Sequence, residues 1–502
     1  MDTAIESKVG RRLQGATAPE VCELIYTPRL AREFKASFGL LTDIHQAHLL
    51  MLRGCDLVDV DAARRIARAL VRIEEEGPDA FELDPMREDA FFNYEARLIA
   101  LAGPDGGRLH LGRSRNDILA TQDRLRARGL ALDLVESLAD VLDTALAGAE
   151  RHAGVVMPGY THMQPAQPIT YGFYLTGIAQ ALQRDAERLA RVYEEVNLNP
   201  LGACALAGTA FPIDRRATAE LLGFAGLVEH ALDAVAARDF ALEMLAALSI
   251  CAVTASRVAQ DLQIWSTPEY GLIDFPDSVA GTSSIMPQKK NPVVLEHLRG
   301  KAGQMVGLFA AAAATVKGVG FSHTGDGNRE SLRSFWEAGE ESLRSLRLLD
   351  LVLRSAQPDA AAGLRRASED FSCVTDLADA IVRECRLSFR EAHHVVGAVV
   401  RSALQHGLKA HQIDAAMVDA AAQAQLGRPL GLAPAVLTEA LDPRAAVQSR
   451  SVPGGPAASA LAAVLDRART RVAALRDTQN ARRAVQRSAR ERLKRETAAL
   501  AA

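Results

Sequence analysis

Residues 281–292 read GTSSIMPQKKNP and gather hydroxyls (Ser283, Ser284), positive charge (Lys289, Lys290) and an amide donor (Asn291) in one polar segment. Gly281 offers backbone freedom, and Pro292 suits the first turn of a following helix, one turn into which lies Glu296. A solvated loop leading into a helix accounts for the prolines but not for this whole set of groups. Two other polar segments interrupt the chain. Residues 110–117, HLGRSRND, run into a helix that begins near Ile118, with Arg113, Ser114, Arg115 and Asn116 at its start. Guanidinium and amide donors at a helix N-terminus suit a carboxylate ligand, although Asn or Asp there can equally cap the helix beside solvated arginines. Residues 159–168, GYTHMQPAQP, set Thr161 and His162 between prolines ahead of a helix from Ile169, a placement suited to proton transfer. A lone histidine can also be purely structural.

The elements that must position these segments are long helices. Apolar residues recur at three- and four-residue spacings over 130–156, 171–196, 233–265, 293–317 and 330–353. The 233–265 stretch is apolar on most faces, so it must be buried inside the subunit or between subunits. The pattern predicts an all-α fold with an elongated central bundle completed by oligomerisation. Strand signals are sparse, and no glycine-rich nucleotide loop follows a strand. Turn-rich stretches GPDGG (103–107) and SAQPDAAAG (355–363) divide the chain into residues 1–109, 110–360 and 361–502. The last of these ends in a charged helical tail, 476–502, expected to project or fray.

Composition narrows the function classes. Hydrophobic residues make up 48% and charged residues 24%, with a formal net charge of -4, which gives no reason to expect a nucleic acid or an anionic membrane as partner. The six cysteines form no CxxC pair and residues 1–14 lack the apolar core of an export signal, so a reduced, cytoplasmic protein is expected. The most apolar stretches, such as 308–316, read as too short or too interrupted to span a bilayer.

Together the three segments resemble the fumarase/aspartase superfamily. GTSSIMPQKKNP is similar to its GSSxMPxKxN signature, with Thr282 where the signature has glycine. HLGRSRND, GYTHMQPAQP, RGKAG (299–303), FREAHHVVG (389–397) and SRSVPGGPA (449–457) resemble the argininosuccinate lyase branch more specifically. The resemblance implies three mainly helical domains, a homotetrameric core built from the long bundles, and active sites each shared by three subunits. It implies elimination of an amine from an aspartate derivative to leave fumarate, with no metal or organic cofactor. In these roles Ser283 is the base. Lys289 and Asn291 hold the carboxylate beside the deprotonated carbon, and Ser114, Arg115, Asn116, Thr161 and Ser284 bind substrate. His162, with Glu296 as its partner across subunits, orients groups or assists the leaving amine.

The resemblance fails in three places. EDAFFNYE (88–95) carries Phe91 where the branch has histidine. HTGDGNRES (323–331) carries His323 and Asn328 where it has tyrosine and glutamine, and DIHQAH (43–48) lacks a Gly-Ser pair. The fumarate half is intact while the amine half changes. The expected substrate is therefore an N-substituted aspartate of a different kind, as for lyases acting on ethylenediamine-disuccinate, with Phe91, His323 and Asn328 meeting its amine side. Argininosuccinate cleavage is the runner-up, and a catalytically inactive structural relative a third reading.

Overall fold

The computed structural model describes residues 16–502; the absence of an export signal expected from residues 1–14 falls outside them. Helix accounts for 73% of the structure and strand for 5%, so the all-α expectation holds. Helices α1 (Thr27–Gly54), α2 (Val60–Glu76) and α3 (Ala90–Ala102) enclose an N-terminal core around Phe34, Leu41, Ile66 and Phe91. Five longer helices follow: α4 (Arg115–Arg151), α5 (Tyr171–Val196), α6 (Asp239–Trp265), α7 (Val293–Lys317) and α8 (Ser331–Ser355). At about 1.5 Å per residue, the 37 residues of α4 run roughly 55 Å and the 27 of α6 roughly 40 Å. A third core lies among α9 (Val374–Cys385), α10 (Phe389–Gln405) and α11 (Ala415–Leu426).

Helix α6 packs against α5, α7 and α8, burying Met244, Leu248, Val258 and Leu262. It is long and apolar enough to cross a membrane, contrary to the sequence expectation; its apolarity belongs to a helix packed inside a bundle. Its packing is one-sided. Ile250 and Val253 on α6 and Val306 on α7 stay 46%, 45% and 46% exposed.

The helix expected from Ile169 begins at Tyr171, because the 159–168 segment continues as strand to Thr170. That segment lies in an antiparallel hairpin, β1 (Val156–Thr161) with β2 (Gln164–Thr170), paired from Val156↔Thr170 to Thr161↔Gln164. The tail also departs from expectation. Residues Ala458–Ala501 form a 44-residue helix, α12, which neither projects nor frays. Arg476 binds Glu136, Asp140 and Asp143 of α4 at 2.7–2.8 Å, Arg490 meets Asp43 of α1, and Lys494 meets Glu74 of α2. Leu493 enters the N-terminal core at 1% exposure. The charge pattern that suggested a solvated tail is thus a set of counter-ions for acidic faces of the bundle.

This docking makes a mutational prediction. Leu493→Ala will lower the unfolding free energy by about 2–4 kcal/mol, read from the urea midpoint, while exposed Val485→Ala stays within about 0.5 kcal/mol. Equal effects of the two changes would mean that α12 is not anchored by this contact.

Candidate active site

The serine segment is a closed loop. Gly281–Thr282 pairs antiparallel with Lys290–Asn291, and the Asn291 side chain donates to the Thr282 carbonyl at 3.2 Å. Gly281 is required here for space rather than for unusual dihedrals: a Cβ would lie 2.6 Å from Val293 Cγ1. Lys290 anchors the loop, binding Asp274 (3.2 Å) and Asp277 (3.4 Å) and donating to the Phe275 carbonyl. Lys289 is exposed and forms no ion pair among the described residues. Half-buried Ser283 accepts backbone N–H bonds at Oγ from Met286 (3.0 Å) and Ile285 (3.4 Å). Amide donors at a hydroxyl oxygen favour its deprotonated form. Ser284 is exposed beside it, and Glu296 is exposed in the first turn of α7.

Thr161 and His162 are exposed at the tip of the β1–β2 hairpin. The two turn residues, His162 and Met163, have φ of 52° and 61°. A two-residue turn with both φ positive favours Asn or Gly, so this turn carries strain beside groups assigned to chemistry.

The third segment is built differently. Ser114 caps α4, accepting from Asn116 N, while Asp117 reaches back to Ser114 N; the cap is therefore the serine rather than Asn116 or Asp117. Buried Asp117 also accepts from Gly202 and Cys204 backbone N–H groups, and burial pushes its carboxyl up to about 6. Asn116 donates to the Ala205 carbonyl. Arg113 is not solvated: it is buried and meets His45 Nδ1 at 2.9 Å. Arg115 binds Glu88 (2.9 Å) and Asp89 (3.1 Å) and lies over the Phe92 ring, 4.7 Å from its centroid.

Two of the three segments that break the expected pattern meet at this point, while His45 of the third meets Arg113 and Phe91. Glu88 and Asp89 come from EDAFFNYE, and Arg329 of HTGDGNRES binds the same Asp89 oxygen at 3.2 Å. Glu88 has φ 66° and ψ -57°, the centre of a tight three-residue turn closed by Asp89 N to Arg87 O at 2.7 Å. Asn328 donates to His323 Nδ1 at 2.6 Å and to the Val235 carbonyl at 3.0 Å. Burial, then the fields of Arg238, Arg329 and Arg115, hold His323 down at about 4, so it is a neutral acceptor at physiological pH. Phe91 is 1% exposed and packs on His45 and His110; with roughly 100° between successive helical residues, Phe92 is the ring that faces Arg115.

One chain does not bring all these groups together. His323, Asn328 and Arg115 lie near the start of α6, whereas the serine loop and the hairpin lie near its end, about 40 Å away by helix length. No described hydrogen bond joins His162 to Glu296 or to Ser283. Sequence reasoning missed Glu88, Asp89 and Arg329 although they lie inside the two flagged segments. It also missed Arg29, whose guanidinium is held below its usual range by burial and then by Arg329.

A family model described as lyase matches residues 25–307, and one described as argininosuccinate lyase C-terminal matches residues 371–448. Argininosuccinate lyase 1 of Shouchella clausii is 40% identical over 449 residues, covering 89% of this chain and 90% of that protein. Argininosuccinate lyase of Methanoculleus marisnigri is 42% identical over 442 residues, covering 87% and 88%. The crystal structure of EDDS lyase in complex with formate superposes with a TM-score of 0.87 at 30% identity, over 99% of this chain and 98% of that one. A class II fumarase from Schistosoma mansoni, at 16% identity, TM-score 0.64 and coverage of 81% and 89%, shares the fold.

His323 yields a pH prediction. Its folded value, about 4, lies below the ordinary 6.5, so the unfolded chain binds more protons between those limits and His323 costs stability as pH falls through that window. His323→Gln will therefore gain stability relative to the parent as pH drops from about 6.5 to about 4, measured by urea unfolding at each pH. Buried Asp43, Asp117 and Asp123 titrate in both proteins and cancel in the difference. A difference independent of pH would contradict the assignment.

Proposed function

We propose that this chain, which belongs to the argininosuccinate lyase branch of the fumarase/aspartase superfamily and is a fumarate-releasing carbon–nitrogen lyase, acts on an N-substituted aspartate other than argininosuccinate. The substrate class is an aminopolycarboxylate, such as ethylenediamine-disuccinate. The observation that carries this choice is the convergence of two of the three divergent segments on Arg115, through Glu88, Asp89 and Arg329. The surroundings of the amine half are rebuilt at one place, while GTSSIMPQKKNP and GYTHMQPAQP stay intact.

The chemistry follows from the acidity of the proton to be removed. A C–H beside a carboxylate is weakly acidic, and its carbanion is a doubly charged aci-carboxylate that needs preorganised donors. Ser283 is the proposed base; the two amides at its Oγ support an alkoxide there. Lys289 and Asn291, on the returning limb of the same loop, hold the carboxylate that gains charge. Arg115, Asn116 and Thr161, with Ser114 and Ser284, take the remaining carboxylate oxygens, so Arg115 must exchange Glu88 and Asp89 for substrate. His162, partnered by Glu296, assists protonation of the leaving amine. His323 and Asn328 meet the amine side, and closure of the serine loop excludes water.

The assembly is part of the proposal. Chemistry at both ends of α6 can meet if copies pack antiparallel, placing one chain's serine loop beside another's Arg115. The exposed Ile250, Val253 and Val306 supply an apolar face for such packing. We take the assembly as a homotetramer with sites shared by three subunits, acting in the cytoplasm, on a chain divided at about residues 109 and 360. Cleavage of argininosuccinate itself is the second reading, favoured by 40–42% identity to argininosuccinate lyases over most of both chains.

Two experiments test this. Fumarate release, followed by ultraviolet absorbance over a panel of N-substituted aspartates, will be robust with an aminodisuccinate and weak with argininosuccinate; the reverse order supports the second reading. Ser283→Ala will lower turnover about 10²–10⁴-fold without changing the fold. Undiminished turnover in that variant would remove Ser283 as the base.

A further inference from the structure

Between the hairpin and the end of α6 lies a cavity of about 300 Å³, of whose lining the steps above use Thr161 alone. Tyr160, Tyr174, Trp265 and Tyr270 line it together with one carboxylate, Asp261, and the lining contains no lysine or arginine. The rings are inclined to one another. Tyr174 meets Trp265 at 4.6 Å and 64°, Tyr160 meets Tyr270 at 5.8 Å and 58°, and Tyr160 meets Trp265 at 6.4 Å and 38°. Rings set at such angles wall a space instead of stacking it shut.

Asp261 is half-buried, and its Oδ2 accepts from the Tyr174 hydroxyl at 2.9 Å. It forms no described ion pair; burial raises its carboxyl above the usual range, opposed by the Tyr174 hydroxyl and by the field of Arg257, one turn earlier on α6. Arg366 lies against Tyr160 beside a neighbouring cavity and donates to the Glu269 carbonyl. A carboxylate set among aromatic rings, with no cation in direct contact, concentrates negative potential that a bound cation would offset. Beside Asp261 an anion is disfavoured by sign, and a neutral apolar guest would bury Asp261 further with nothing in exchange.

We propose that this cavity is a binding site for a small organic cation, an alkylammonium or quaternary ammonium group held by the aromatic rings and Asp261. The volume accommodates such a group, and aromatic walls with a carboxylate are the physical means of recognising one. Thr161 and Met163 of the hairpin form part of the wall, so the group could belong to the amine end of a substrate or to a separate solute.

The chain has two tryptophans, Trp265 and Trp336, so Trp336→Phe leaves Trp265 as a fluorescent reporter in the cavity wall. Choline, at constant ionic strength, will change that signal saturably; 3,3-dimethyl-1-butanol, its uncharged counterpart, will bind about tenfold more weakly. Asp261→Asn will weaken choline about tenfold, and Tyr270→Leu provides a second variant should the first fail to fold. No choline response, equal binding of the alcohol, or unchanged binding in both variants would overturn the cation site. In turnover assays, choline competing with substrate assigns the site to the substrate's amine end, and non-competition assigns it to a separate solute; both results presuppose a bound cation. The fluorescence arm needs no turnover, so its failure is distinct from failure of the proposed reaction.

Discussion

Removing the apolar length of α6 from water is the constraint on which the rest of the structure depends. A 27-residue helix apolar on most faces must be surrounded, and α5, α7 and α8 surround one side of it. Polar chemistry cannot sit along such an axis, because a buried polar group without a partner costs roughly 1–3 kcal/mol. It is displaced to the two ends. Helix length, about 40 Å for α6, then separates the Arg115 region near its start from the serine loop near its end.

At the Arg115 end the determining interaction is a shared carboxylate. Asp89 is 3% exposed and lies within 3.2 Å of both Arg115 and Arg329. A buried carboxylate is tolerable only when paired this closely, and removal of either arginine would leave it partly uncompensated. The turn at Glu88, in a conformation costing on the order of 1–3 kcal/mol, persists because Arg115 draws on both neighbouring acids. Strain and charge pairing thus fix one another.

Legibility in the sequence followed the range of the interactions involved. The long helices were readable because their apolar spacing is local and periodic. So was the serine segment, whose polar residues are contiguous. The hairpin was not, because prolines filled its strands and its turn used His162 and Met163 where Gly or Asn would have signalled it. Sequence position singles out Phe91, but the phase of α3 turns Phe92 toward Arg115, a difference set by how the helix packs Phe91 on His45 and His110. The Glu88–Arg115–Asp89–Arg329 group joins residues up to 241 positions apart and leaves no local pattern to find. The tail failed for a related reason: its arginines look solvated until the acidic face of α4 is placed beside them.

The same distinction separates two kinds of residue inside the intact segments. Ser114, Asn116, Ser283 and Asn291 each already serve the backbone of their own chain, as a cap, a loop tie or a turn acceptor. Thr161, His162, Lys289 and Glu296 have no described side-chain partner and stand exposed. Holding a lysine or glutamate side chain in one rotamer costs up to about 2 kcal/mol, and local packing offsets none of that here. Within the described residues, nothing in the chain itself orders these four positions. The locally bonded residues fix the backbone of their own segments. The unpartnered ones are the groups whose geometry ligand binding and assembly would set.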